Sequence, residues 1–206
     1  MKPETLIVFV KAPQAGRVKT RLARGIGAGR AAMVYRHLAR AAFAAAEKGR
    51  WRTILAVEPA RAIREWRAFW PRGVEMTAQG RGDLGARMKA AIEDAARGPA
   101  VIIGTDAPGV RARHIRAAFR ALGKHDAVFG PARDGGYWLI GLARRRRAPR
   151  LFEGVRWSGP HALADTMKSL PEDFSVALLE ELADVDEADD LSALGPLSKA
   201  RPAAQD

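Results

Sequence analysis

The residues best suited to chemistry in this 206-residue sequence are a set of aspartates and a basic loop. Asp106 follows an apolar run, Ala100 to Ile103, and a Gly104-Thr105 step. Asp184 and Asp186 stand together in a DVD segment, and alternation in extended backbone puts both side chains on one face. Hard divalent cations take oxygen ligands, and Mg²⁺ is often held by one or two carboxylates plus substrate phosphates. Near the start, KAPQAGRVKTR carries Lys11, Arg17, Lys19 and Arg21, with Gly16 permitting close backbone approach. Cations on a glycine-containing loop beside a helix start suit a phosphate chain. The spacing is neither a Walker A loop nor a GxGxxG dinucleotide loop.

A second glycine-rich stretch, QGRGDLGARM, adds Gln79, Gly82, Asp83 and Arg87 to the candidate nucleotide- and phosphate-binding set. Its glycines bring backbone N–H groups toward a ligand, and Asp83 is also placed to cap the next helix. Asp134, in GPARDGGYW, joins Asp106 as a candidate catalytic carboxylate. Gly135 and Gly136 allow tight backbone beside a bound group, and Tyr137 and Trp138 can pack on a base or sugar. Trp138 suits the core equally well. Thr105, Gly135, Gly136, Tyr137 and Trp157 form the candidate acceptor or sugar pocket, and Asp106, Asp184 and Asp186 the candidate metal ligands. Plainer readings stand beside these: Asp106 as a cap for the helix after Pro108, the DVD segment as an acidic surface turn, the basic loop as a solvated one. His37 and His114 lie on arginine-rich helices with no partner at metal spacing.

The elements that must position these groups follow from the apolar pattern. Short apolar runs predict strands at Thr5–Val10, Thr53–Val57, Val74–Ala78, Ala100–Ile103, Asp126–Pro131 and Tyr137–Leu142, with a weaker one at Ser175–Leu179. The run Ala100–Ile103, bounded by turn residues, reads as a central strand buried on both faces. Between the strands, helical spacing links Val34, Leu38, Ala41 and Ala45; Ile63, Trp66 and Trp70; Leu84, Met88, Ala91 and Ala95; and Ile115, Ala118, Phe119 and Leu122. A further helix is expected over His161–Ser169. The Asp134-Gly135-Gly136 turn predicts a hairpin or a sharp change of direction. Alternating strands and helices imply a mostly parallel sheet with helices on both faces. In such sheets ligands collect beyond the carboxyl ends of the strands, where Lys11, Gln79 and Asp106 fall.

Composition sets the outer limits. The length fits one α/β domain, read here as residues 1–194 with a flexible tail over 195–206. There is no cysteine and hence no thiolate metal site. No run approaches the roughly 18–20 apolar residues of a membrane span, and the N-terminus lacks a signal-peptide pattern, so the default location is the cytoplasm. A net charge of +12 favours anionic partners. One such reading is a basic nucleic-acid-binding protein. Against it, the arginines are dispersed and aromatics make up only 7% of residues, whereas a nucleic-acid face interleaves the two.

Taken together, FVKAPQAGRVKTRLA, QGRGDLGARM, IIGTDAP, FGPARDGGYWLIGL, LFEGVRWS and DVDEADDL resemble a GT-A-type glycosyltransferase-like family. Some of its members are associated with arsenosugar biosynthesis, and the wider set is the nucleotide-diphospho-sugar transferase superfamily. The similarity runs from about Leu6 to Leu191. The first loop and the DVD segment are also similar to those of phospholactate guanylyltransferases. The resemblance implies a three-layer α/β/α Rossmann-like fold with a mixed, mostly parallel sheet, and Mg²⁺ or Mn²⁺ at the nucleotide phosphates. It implies phosphate contacts from Lys11, Lys19 and Arg21, a metal-binding role for Asp106, and a second metal-binding element in Asp184 and Asp186. The expected activity is a metal-dependent transfer from a nucleotide or nucleotide-sugar donor to a small-molecule acceptor. Glycosyl transfer is favoured by the family, and nucleotidyl transfer fits the basic loop. Glu187 departs from the threonine expected after DVD, and Gly159 from the Ser or Thr expected after the WS pair.

Overall fold

Ala100–Ile103 is completely apolar because it is covered on both sides. In the computed structural model, which describes residues 3–185 and 190–191, this strand lies inside a seven-stranded sheet. The strands are β1 (Thr5–Lys11), β2 (Arg52–Glu58), β3 (Glu75–Ala78), β4 (Ala100–Ile103), β5 (Ala127–Pro131), β6 (Tyr137–Leu142) and β7 (Val176–Leu178). Their spatial order is β3-β2-β1-β4-β6-β5-β7. All adjacent pairs are parallel except the two that involve β6. The sheet is therefore mixed and mostly parallel, and β6 runs back toward the amino ends of its neighbours. The carboxyl ends of β1, β2, β4 and β5, and the amino end of β6, all meet at one edge.

The helices are α1 (Thr20–Ile26), α2 (Ala28–Ala46), α3 (Ala62–Glu65), α4 (Leu84–Asp94), α5 (Ala112–Leu122) and α6 (Ala162–Lys168). Strand alternation divides the core. Leu6, Val8, Val10, Val101 and Ile103 face α2 and α5, meeting Tyr35, Ala39, Phe43, Ile115 and Phe119. Ile7 and Ile102 point the other way, onto Met88 and Ile92 of α4 and onto Leu151, Phe152 and Leu170. Apolar layers on both faces make the α/β/α sandwich.

Local details differ from the sequence pattern in two places. The basic loop ends two residues early: Lys19 caps α1, so Arg21 sits in its first turn, and Gly27 at φ 83 separates α1 from α2. The helix expected through Trp70 stops at Glu65, because the chain turns at Trp66 and the Trp70 indole N–H donates to the Ala62 carbonyl at 2.9 Å. Trp70 packs edge-on against Phe43 and Phe69 from that turn. The hairpin is real: Pro131 pairs with Tyr137 across the Asp134–Gly136 turn. Here glycine is obligatory, since Gly135 has φ 83 and a Cβ on it would lie 2.3 Å from the Pro160 carbonyl oxygen. No helix among the described residues is long and apolar enough to cross a membrane.

Candidate active site

The edge where the strand ends converge is open as a cavity of about 570 Å³. Its lining brings together most of the residues singled out in the sequence: Lys11, Lys19 and Arg21; Gln79 and Arg87; Thr105 and Asp106. Asp134, Gly136, Tyr137, Trp157 and Asp184 line it as well. Gly16, Gly82, Asp83 and Gly135 do not. Gly16 and Gly82 adopt positive φ within the two loops. Asp83 is the N-cap of α4, its Oδ1 accepting the Ala86 N–H at 2.8 Å. Gly135 supports the wall from behind, its carbonyl accepting the Leu163 N–H at 3.0 Å. Asp186 lies outside the described residues, as does the tail from Gly195.

The cationic side is held from below. Val18 and Leu22 are buried and anchor the loop. Lys19 Nζ lies 2.5 Å from Asp106 Oδ1, with the lysine side chain only 4% exposed and that of Asp106 53% exposed.

Arg87 is fixed more firmly than its helix position suggests. Its guanidinium forms an ion pair with Glu58 and donates to Gln79 Oε1 at 3.0 Å. The Gln79 amide nitrogen in turn donates to the carbonyls of Val10 and Ala56, at 3.3 and 3.0 Å. Gln79 is thus tied to the ends of β1 and β2 by one end of its side chain and orients Arg87 with the other.

The carboxylate side is built from three loops. Asp106 follows β4. The segment after β7 runs parallel to β5, with an isolated bridge between Ala132 and Leu182, and carries Asp184 to the same cavity. Val185 is fully buried there, and its N–H donates to the Asp106 carbonyl at 3.3 Å. Asp134 Oδ1 accepts the Gly136 N–H at 2.9 Å, an Asx turn that sets the hairpin and leaves Oδ2 for other partners. Burial pushes the Tyr137 hydroxyl well above its ordinary pKa, and that hydroxyl lies 3.3 Å from Thr166 Oγ1. Trp157 packs near Phe152, with centroids 5.9 Å apart. Trp138, weighed against the core, belongs to the core: it is buried, over Gly130.

Two residues at this edge were not singled out in the sequence. Tyr35, buried on α2, accepts the Lys11 N–H at 2.7 Å and the Thr105 hydroxyl at 3.2 Å, joining the ends of β1 and β4. Burial raises its pKa, so it stays a neutral phenol. It falls on the same stripe as Leu38 and Ala42, and its pattern is that of a core residue. Glu58, the last residue of β2, has no sequence signal beyond its place at a strand end.

A basic cavity rimmed by aspartates at the carboxyl edge of a mixed sheet is the arrangement of the nucleotide-diphospho-sugar transferase fold. A solved protein from Desulfovibrio desulfuricans G20, described as a candidate nucleotide-diphospho-sugar transferase, is similar over 98% of this chain and 90% of its own. It is 29% identical, with a TM-score of 0.83. The chain belongs to the family DUF2064, described as an uncharacterized protein conserved in bacteria, whose model matches residues 40–159. That span contains the QGRGDLG loop, Asp106 and Asp134, but neither the basic loop nor the DVD segment. Two more distant structures share the fold. The inositol-1-phosphate CTP transferase from T. maritima is 12% identical, with a TM-score of 0.63 and 96% of each chain covered. Rv0371C in complex with manganese, from Mycobacterium tuberculosis, is 17% identical, with a TM-score of 0.55, covering 97% of this chain and all of that one. No curated protein sequence matches the chain.

Proposed function

We propose that this protein is a metal-dependent transferase that takes a nucleotide-diphospho-sugar and passes the sugar to a small-molecule acceptor. One observation carries the reading: a single cavity at the strand ends is lined by Lys11, Lys19, Arg21 and Arg87 and also by Asp106, Asp134 and Asp184. A diphosphate needs the first group, and a cation and an acceptor hydroxyl need the second. The similarity to the Desulfovibrio protein supports sugar transfer.

In this reading Lys11, Lys19 and Arg21 bind the diphosphate and hold it against the start of α1. Arg87, oriented by Gln79 and Glu58, adds a fixed donor. Asp106, Asp184 and Asp186 would hold Mg²⁺ or Mn²⁺. The donor set fits a hard cation: Asp106 and Asp184 line one cavity, and their backbones are joined by the Val185–Asp106 hydrogen bond. Among the described residues no three acidic or histidine side chains form a metal cluster, and the third proposed ligand, Asp186, lies beyond them. When bound, such a cation neutralises charge developing on phosphate oxygens. Thr105, Gly136, Tyr137 and Trp157 form the wall on which sugar and acceptor sit. Asp134 takes the proton of the acceptor hydroxyl as its oxygen bonds to the anomeric carbon. The bond from that carbon to the diphosphate oxygen breaks, and the leaving nucleoside diphosphate keeps the electron pair beside Lys11, Lys19 and Arg21.

A second reading is nucleotidyl transfer to a phosphorylated acceptor. Lys19 and Arg21 in the same cavity as Asp106 favour it, since a triphosphate places more charge against those cations. The similarity to the T. maritima CTP transferase agrees with it. Nucleic-acid binding fits less well. A second groove, of about 530 Å³ between α2 and α5, is lined by His37, Lys48, Arg111, Arg113 and Arg116, but by no Phe, Tyr or Trp on which bases could stack.

A thermal-shift panel of nucleoside di- and triphosphates and nucleotide sugars, each with and without Mg²⁺ or Mn²⁺, tests the proposal. Metal-dependent stabilisation by one nucleotide sugar is expected. Stabilisation by a triphosphate alone, with pyrophosphate released in the presence of an acceptor, selects the second reading. No stabilisation by any nucleotide overturns both.

A further inference from the structure

Lys19 has unusual backbone geometry for a lysine. It stands in the left-handed region, with φ 48 and ψ 49, where a residue carrying a Cβ is disfavoured. Strain of this kind concentrates at ligand sites. Its side chain is almost wholly buried, a rare state for lysine unless the ammonium is paired. Nζ lies 2.5 Å from Asp106 Oδ1. Asp106 is the carboxylate that β4 delivers to the cavity, and half of its side chain remains exposed there.

We propose that Lys19 and a divalent cation compete for the Asp106 carboxylate, and that the phosphate chain of the nucleotide relieves the competition by drawing the ammonium to itself. The inference rests on the metal- and nucleotide-binding reading given above. A divalent cation brought to Asp106 meets an ammonium already within ion-pair distance, and the two positive charges repel. Phosphate oxygens held by Lys11, at the end of β1, and by Arg21, in the first turn of α1, give that ammonium other acceptors. Lysine is suited to the exchange, being a compact charge with rotatable donors on a flexible stem. Metal and nucleotide then bind cooperatively, each raising the affinity of the other by the same factor. A Lys19 that served only to hold the loop would produce no such pairing of effects.

The distinguishing signature is a change of opposite sign for the two ligands. Lys19→Met, Lys19→Gln and the wild type are titrated with Mn²⁺ alone, following free Mn²⁺ by electron paramagnetic resonance. They are then titrated calorimetrically with a nucleoside diphosphate, with and without Mn²⁺. Both variants should bind Mn²⁺ alone more tightly, by roughly tenfold, and the nucleoside diphosphate about tenfold more weakly, as removal of a charged hydrogen-bonding group predicts. The cooperativity between the two ligands should fall away. Unchanged or weaker Mn²⁺ binding in whichever variant folds, beside measurable binding by the wild type, overturns the competition and leaves the metal reading standing. No Mn²⁺ binding by any form, with or without nucleotide, overturns the metal reading and this inference together.

Discussion

The backbone N–H of Val185 donates to the Asp106 carbonyl oxygen at 3.3 Å, so a segment nearly eighty positions further along the chain touches the aspartate that follows the central strand. The contact depends on β7 pairing in parallel with β5 and on the bridge between Ala132 and Leu182 that continues it. It carries Asp184 into the cavity that Asp106 lines.

That proximity suggests like-charge repulsion and a gain in stability on neutralising Asp106. The Lys19 ammonium reverses the expectation. Asp106→Asn removes a carboxylate that faces a buried cation and should lower the melting temperature in metal-free buffer. At roughly 1 kcal/mol for a partly exposed pair, the fall is about 2–4 °C for a chain of this size. The same variant should lose most of any rise caused by Mn²⁺. Scanning calorimetry checks both, and a higher melting temperature without metal would show that repulsion dominates.

Arg21 lines the cavity from the first turn of α1, outside the core. Arg21→Ala should leave the fold intact and weaken nucleotide binding by about tenfold or more, the value of a hydrogen bond to a charged group. Calorimetric titration measures it. Unchanged affinity would remove Arg21 from the phosphate site.

Tyr35→Phe deletes one oxygen that accepts from both the Lys11 N–H and the Thr105 hydroxyl. The Lys11 N–H loses its partner at a strand end, at a cost of about 1–3 kcal/mol. Denaturant unfolding should show a lower midpoint with the slope unchanged. Nucleotide affinity should also fall, because Lys11 and Thr105 lose their common anchor.

Asp126 predicts part of the acid response. The Arg146 guanidinium, and then the Ser175 backbone, hold its carboxyl at about 2, against an ordinary 3.8. The folded value lies below the unfolded one, so this contribution is complete above about pH 4 and is lost as pH falls toward 2. Asp126→Asn should therefore be less stable than wild type at neutral pH, with the difference shrinking near pH 2. Unfolding curves at the two pH values decide it, and a gap of equal size at both would assign the effect to packing.

Much of the architecture was legible in the sequence. Ala100–Ile103 announces a strand buried on both faces, because only a fully covered strand has no polar side. The turn around Gly135 announces the hairpin, because only glycine accepts that φ so close to the Pro160 backbone. The basic loop, the QGRGDLG loop and Asp106 were legible as neighbours at one cavity because each follows a predicted strand, and strand ends in such sheets share one edge. The roles within that edge belonged to the tertiary structure alone. Nothing local to Gln79 indicates that its amide is tied to β1 and β2, since its partners are backbone groups far off in the chain. Tyr35 reads as core because burial and its hydroxyl's two partners are independent facts, and periodicity reports only the first. Whether the Asp106 charge is repelled or neutralised is likewise undetermined by composition or spacing. It depends on a 2.5 Å contact with Lys19, and Coulombic energy follows distance through space, which only the folded chain defines.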